Sequence, residues 1–152
     1  MKISIDLDDT ILVKPDFPYL EIGTTKLIRG CMEECFRKGT KTLFEFLSSS
    51  DHEVGIYTNS YRGKTDLENW FSENGFIISF VINQQIHDNK TDQQPNRYSL
   101  PDKCPHLFDI DLHIDDLFEI KESCEKFGVK IILAETGENW VEEVIYKIKS
   151  FA

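Results

Sequence analysis

Three carboxylates lie within one short run, Asp6-Leu7-Asp8-Asp9-Thr10, directly after the apolar residues Ile3-Ser4-Ile5. Like charges this close repel unless solvent or a cation takes up the excess. A solvated acidic turn is one explanation, because Asp is common in turns. The run has company, however: Thr58-Asn59-Ser60, Lys103 and Asp115-Asp116 each stand beside a further apolar stretch. If these clusters converge on one edge, a divalent cation would resolve the repulsion. Mg²⁺ favours oxygen ligands, takes one or two carboxylates and keeps its other positions for water and substrate phosphate.

Convergence requires a framework. Apolar runs recur at Ile3–Ile5, Val54–Tyr57, Ile77–Ile82, Leu112–Ile114 and Val129–Leu133, which predicts five short strands. Helical spacing joins Ile28, Met32, Cys35, Phe36, Leu43, Phe46 and Leu47 in one segment, Leu67, Trp70 and Phe71 in a second, and Phe118 to Phe127 in a third. Asn74-Gly75 and Gly128 read as helix stops, and Asn139 with Glu142 as a capping box opening a last helix. Strands alternating with helices predict an α/β fold, a Rossmann-like three-layer domain with a central parallel sheet of about five strands. In such a sheet, ligands bind at the carboxyl ends of the strands, where Asp6, Thr58 and Asp115 would stand. Residues 13–25 read as a loop or small hairpin, and residues 84–105 as a polar loop within a single domain spanning 1–152.

An apolar strand followed by D-x-D-x-T, then T-N-S, K and D-D in that order, resembles the four motifs of the haloacid dehalogenase (HAD) superfamily. The likeness runs over nearly the whole chain. It implies the strand order 5-4-1-2-3 and a phosphatase mechanism. Asp6 would be the nucleophile that forms an aspartyl-phosphate, and Asp8 the general acid and base. Mg²⁺ would be held by the Asp6 carboxylate, the backbone carbonyl of Asp8 and a carboxylate of the Asp115-Asp116 pair. Asp116 is favoured as the direct ligand, with Asp115 contacting Lys103. Thr58 would bind substrate, Asn59 would bind substrate or cap the turn after the strand, and Lys103 would offset charge on the nucleophile and the phosphate. Lys103 lies twelve residues before Asp115, and Lys90 competes for the same role. The Asp102-Lys103 … Leu112-His113-Ile114-Asp115-Asp116 arrangement is similar to that of the deoxyribonucleotidase branch. Little chain is left for an inserted cap, which resembles the capless members that act on large substrates or borrow a neighbouring subunit as a lid. The expected substrate is a phosphorylated small molecule, a metabolite or nucleotide. Alternatives are a phosphoprotein or other macromolecule phosphatase, a phosphotransferase, and a noncatalytic metal-binding regulatory module.

Other residues carry weaker signals. Arg62 and Lys64 could reach a second anionic group on a substrate or begin a solvated helix; Ser60 could touch substrate or cap a turn. His113 reads as packed or hydrogen-bonded, and Trp70 and Trp140 as core. Cys31 and Cys35, four apart, suit packing on one helical face, and the four cysteines lack metal-ligand spacing. A formal charge of −10 disfavours a nucleic-acid partner unless Arg29, Arg37, Lys38 and Lys41 form a local patch. No apolar stretch approaches the ~18 residues of a membrane span, so a cytoplasmic protein without a membrane partner is expected.

Overall fold

The computed structural model describes all 152 residues. Five strands form the central parallel sheet: β1 (Lys2–Ile5), β5 (Glu53–Tyr57), β6 (Phe80–Ile82), β7 (Leu112–Asp115) and β8 (Lys130–Leu133). Their order is β6-β5-β1-β7-β8, so β1 sits at the centre between β5 and β7. The helices are α1 (Thr40–Ser48), α2 (Lys64–Glu73), α3 (Gln84–Thr91), α4 (Phe118–Glu125) and α5 (Trp140–Phe151). None is long and apolar enough to cross a membrane.

Strand alternation divides the two faces of this sheet. Ile3, Ile5, Val54, Ile56, Leu112, Ile114 and Ile132 join one large core with buried residues of α1, α2 and α5. The intervening residues face the other way: Ile131 packs with Ile120 and Cys124 of α4, and Tyr57 with Ile82 and Ile110. Ser4 and His113 also lie on that second face, where they bond to each other. Gly55 in the middle of β5 allows close approach of Phe80, because a Cβ there would fall inside the van der Waals envelope of the ring. Gly55→Ala should therefore cost about 1–2 kcal/mol through overpacking. Thermal melts would measure it, and Phe80→Ala should suppress the loss; unchanged melting of Gly55→Ala would contradict the clash.

Residues 14–26 form the expected loop, but residues 27–36 depart from the helix expected from Ile28 onward. β2 (Leu12–Val13), β3 (Leu27–Arg29) and β4 (Met32–Phe36) form a second, antiparallel sheet in the order β2-β4-β3. Arg29 pairs with Met32 across a two-residue turn, and Gly30 at its first position has φ +60°. A tight hairpin of that kind needs positive φ there, which glycine adopts without a Cβ penalty. The apparent helical period from Ile28 to Phe36 was thus accidental, and only residues from Thr40 onward are helical. Cys31 lies exposed in the hairpin turn and Cys35 is buried in β4, so they share no helical face; all four cysteines are free thiols. Phe36 fixes the small sheet to the main core. Its ring stacks on Trp70 at 4.0 Å and meets Phe71 and Phe76 edge-on.

The segment 84–105 also differs from a continuous loop, since its first third is α3. Polarity concealed the helix: the Asn83 side chain accepts the Ile86 N–H, while only His87 and Thr91 of α3 are buried. At the other end of the chain the expected capping box does not form, because Asn139 makes no side-chain cap bond. Trp140 instead fixes the start of α5 by donating from Nε1 to the Lys38 carbonyl at 2.8 Å.

Candidate active site

The turn after β1 is unusually tight. The Leu7 carbonyl accepts the N–H groups of Thr10, Ile11 and Leu12, and Asp9 adopts φ 62°. Asp tolerates that left-handed conformation better than most residues because its short side chain can bond locally. The tight turn brings the buried Thr10 hydroxyl back to 3.2 Å from both Asp6 Oδ2 and Asp116 Oδ1. From the far side, Arg37 secures the same turn. Its fully buried guanidinium donates to the carbonyls of Thr10, Glu135 and Gly137 and lies over the Trp140 ring.

Asp6 and Asp115, at the adjacent ends of β1 and β7, share one cation. Lys103 Nζ donates to Asp6 Oδ1 at 2.6 Å and to Asp115 Oδ2 at 2.5 Å, with all three residues buried. Lys90 is elsewhere, with its ammonium 6.0 Å above the Phe108 ring. His113 donates from Nε2 to Asp115 Oδ2 at 2.9 Å, and its Nδ1 accepts the Ser4 hydroxyl at 2.7 Å. Burial and the nearby Lys103 charge push its pKa down, so it is a neutral imidazole. Burial alone would raise Asp115, but the His113 bond and the Lys103 charge hold it below the ordinary carboxylate range. Burial also opposes the charge on Lys103, yet the two carboxylates keep it protonated.

Asp6, Asp115 and Asp116 present carboxylate oxygens within 4.8 Å of one another, an all-oxygen set that can hold a hard cation. Asp115 is the least available of the three. One of its oxygens is taken by Lys103 and His113, the other by the Leu117 N–H. Asp116 uses one oxygen for Thr10 and keeps the second free. Burial and the neighbouring Asp115 charge raise the pKa of Asp116, and burial is likewise the main cause that raises Asp6.

The Asp8 side chain is not part of this triad. It is more than half exposed, and its two oxygens receive Arg62 Nη2 and Nη1 at 2.7 and 2.9 Å. The Asp8 carbonyl oxygen accepts no hydrogen bond in the protein. Arg62 is itself buried, neither solvated nor free to reach an anion; Lys64 is exposed and near Glu68. The partner that sequence reasoning missed is Glu34, on the hairpin mistaken for helix. Strand alternation could have placed it on the inward face with Phe36, two residues later. A cavity of about 310 Å³ opens here, with Asp8, Arg62, Glu34, Ser60 and Met32 among its walls.

Thr58, at the end of β5, is fully buried. Its hydroxyl accepts the Ser60 N–H at 3.3 Å and lies the same distance from Ser60 Oγ, so both residues build the turn. Asn59 is exposed and borders a separate polar cavity with Gln84, His87, Arg97 and Asp102. The proposed basic patch is not assembled, because Arg29 pairs with Glu34, Lys38 with Glu138, and Arg37 is interior. No family model matches this chain, and no curated protein matches it in sequence.

Proposed function

We propose that this chain is an Mg²⁺-dependent phosphohydrolase of the HAD type, cleaving a phosphate monoester through an aspartyl-phosphate on Asp6. The observation that carries the reading is Lys103 Nζ held between Asp6 and Asp115, with Asp116 and Thr10 completing the same cluster. Residues far apart in sequence, each matching one of the superfamily's motifs, thus meet at the carboxyl edge of one sheet. The order β8-β7-β1-β5-β6 also supports it, being 5-4-1-2-3 when the parallel strands are counted along the chain.

The donor set fits Mg²⁺. Three crowded carboxylates leave negative charge that a single lysine does not balance, and the free oxygens of Asp116 and of the Asp8 carbonyl are hard ligands. Bound there with Asp6, the ion would offset charge on the phosphoryl oxygens. Asp6 attacks phosphorus as the bond to the leaving oxygen breaks, and Asp8 delivers a proton to that oxygen. Asp8 then removes a proton from the water that cleaves the acyl phosphate. Lys103 and Thr10 hold the two Asp6 oxygens in place, which limits the reorganisation needed in the transition state. The cavity beside Asp8 accommodates the leaving group, and the turn from Thr58 to Ser60 offers the phosphate the Asn59 N–H, the one in that turn not already bonded within the protein.

The test is Mg²⁺-dependent release of phosphate from an aryl phosphate and from a panel of phosphorylated metabolites, with EDTA as control. Activity should appear with Mg²⁺ and fall with EDTA. Asp116→Asn should raise the Mg²⁺ concentration for half-maximal activity by about 10-fold or more, the scale on which even outer-shell changes act at metal sites. A folded wild-type protein that releases no phosphate from any of these esters would overturn the proposal.

A further inference from the structure

All five guanidinium hydrogens of Arg62 are committed within the protein. Nε donates to Glu34 Oε2 at 3.2 Å, and Nη2 to Glu34 Oε1 at 2.6 Å and Asp8 Oδ1 at 2.7 Å. Nη1 donates to Asp8 Oδ2 at 2.9 Å and Ser60 Oγ at 2.8 Å. One edge of the planar group is therefore matched to Glu34 and another to Asp8, an arrangement available to arginine and not to a point charge such as lysine. The Asn83 amide fixes the Arg62 carbonyl at 3.0 Å, and Arg29 holds the far side of Glu34 at 2.6 Å. Glu34 comes from β4, whose position is set by Phe36 in the aromatic core. The Asp8 carboxylate is more than half exposed on a turn, so this fork is its only side-chain anchor.

Resting on the phosphohydrolase reading above, we infer that Arg62, braced by Glu34, is a positioning residue that aims the Asp8 carboxyl at the leaving oxygen. The antiparallel sheet thereby serves the reaction directly, through a rigid connection from Phe36 and Glu34 to the proton donor. A group held by both oxygens in one plane has few orientations open to it, and proton transfer is steeply sensitive to such alignment.

The role can be distinguished from mere support of the fold by the choice of leaving group. Alkyl phosphates expel a poor leaving group and need the proton from Asp8, whereas 2,4-dinitrophenyl phosphate expels a stable phenolate and scarcely needs it. Arg62→Met should lower kcat/KM, which reads the phosphorylation step alone, on an alkyl phosphate by about 10²-fold, the lower range of general acid catalysis, and change kcat/KM for the activated ester less than about 3-fold on the same argument. By contrast, kcat falls for both esters wherever hydrolysis of the shared aspartyl-phosphate, which uses Asp8 as base, limits turnover. Arg62→Lys should not restore the alkyl rate. Adding Arg62→Met to Asp8→Asn should cause no further loss, because the two act as one unit. Should Arg62→Met fail to fold, Glu34→Gln, which keeps the shape and removes only the bracing charge, must show the same selectivity at smaller amplitude. Equal losses in kcat/KM on both esters, or additive losses in the double variant, would overturn the inference while leaving the phosphohydrolase intact. A folded wild-type protein inactive on both esters would overturn the parent reading and this one with it.

Discussion

Asp6→Asn is expected to abolish phosphate release and, at pH 8 without metal, to raise the melting temperature. The first effect follows from removing the proposed nucleophile; a loss of at least about 10⁴-fold is on the scale seen when nucleophiles are deleted. The second follows from the environment of the carboxyl. Burial raises its pKa from 3.8 to about 7, and the Asp115 and Asp116 charges act in the same direction against Lys103. A carboxyl whose folded-state pKa is raised contributes stability that is complete below pH 3.8 and is lost as the pH rises through about 7. At pH 8 the wild type therefore carries an ionised Asp6 at a net cost, on the order of a few kcal/mol. Asparagine mimics the neutral form and escapes it, which corresponds to a gain of several degrees, roughly 2–4 °C per kcal/mol in a domain of this size. Melting curves at pH 5 and pH 8 in EDTA would check the sign: the variant should gain on the wild type as pH rises. A variant that melts below the wild type at pH 8 would show that Lys103 depends on Asp6 more than the acidic cluster opposes it.

Lys103→Met should be the most destabilising single change at the site. It leaves Asp6 and Asp115 buried without their shared cation. Breaking a buried ion pair by removing one partner typically costs about 3–5 kcal/mol, because the remaining charge is uncompensated. Denaturant titration at pH 8 in EDTA would measure the loss, and millimolar Mg²⁺ should recover part of it by placing a new positive charge among the same carboxylates. Lys90→Met is the control. Its half-buried ammonium makes no ion pair, and the change should stay within about 0.5 kcal/mol. Equal stability of Lys103→Met and the wild type in EDTA would mean that the cluster is neutralised by protonation rather than by lysine.

The central strands were legible because each carries a short apolar run, and because burial on both faces demands one. Asp6, Asp115 and Asp116 were legible for a related reason: each sits at or beside a strand end, where the register of a parallel sheet fixes its neighbours, whereas Lys103 lies in the loop before β7 and was legible only from its place in the motif order. The small antiparallel sheet was not. Ile28, Met32 and Cys35 happen to follow a helical period, and Ile28 and Met32 turn out to be exposed. Glu34 was invisible for the same reason, since its value depends on facing Arg62 across a hairpin that periodicity did not reveal. Arg62 was noticed as a charge and misjudged, because nothing local says that two carboxylates from different elements will enclose it. α3 was missed because helices on the sheet's margin need only one or two buried contacts, here His87 and Thr91.

The place of β1 at the centre of the sheet has a consequence for how the chain folds. This first strand pairs with Glu53–Ile56 on one side and Leu112–Ile114 on the other, contacts separated by roughly 50 and 110 residues. Closing such loops precedes any reward from the contacts within them, so folding is governed by nonlocal pairing and is slow for a domain of this length. During synthesis the segment bearing Asp6 is made before β7, so one of its edges waits for that strand. The acidic cluster consequently assembles late, when the strands that surround it have already been produced, and its mutual repulsion is met only once the rest of the sheet is there to withstand it.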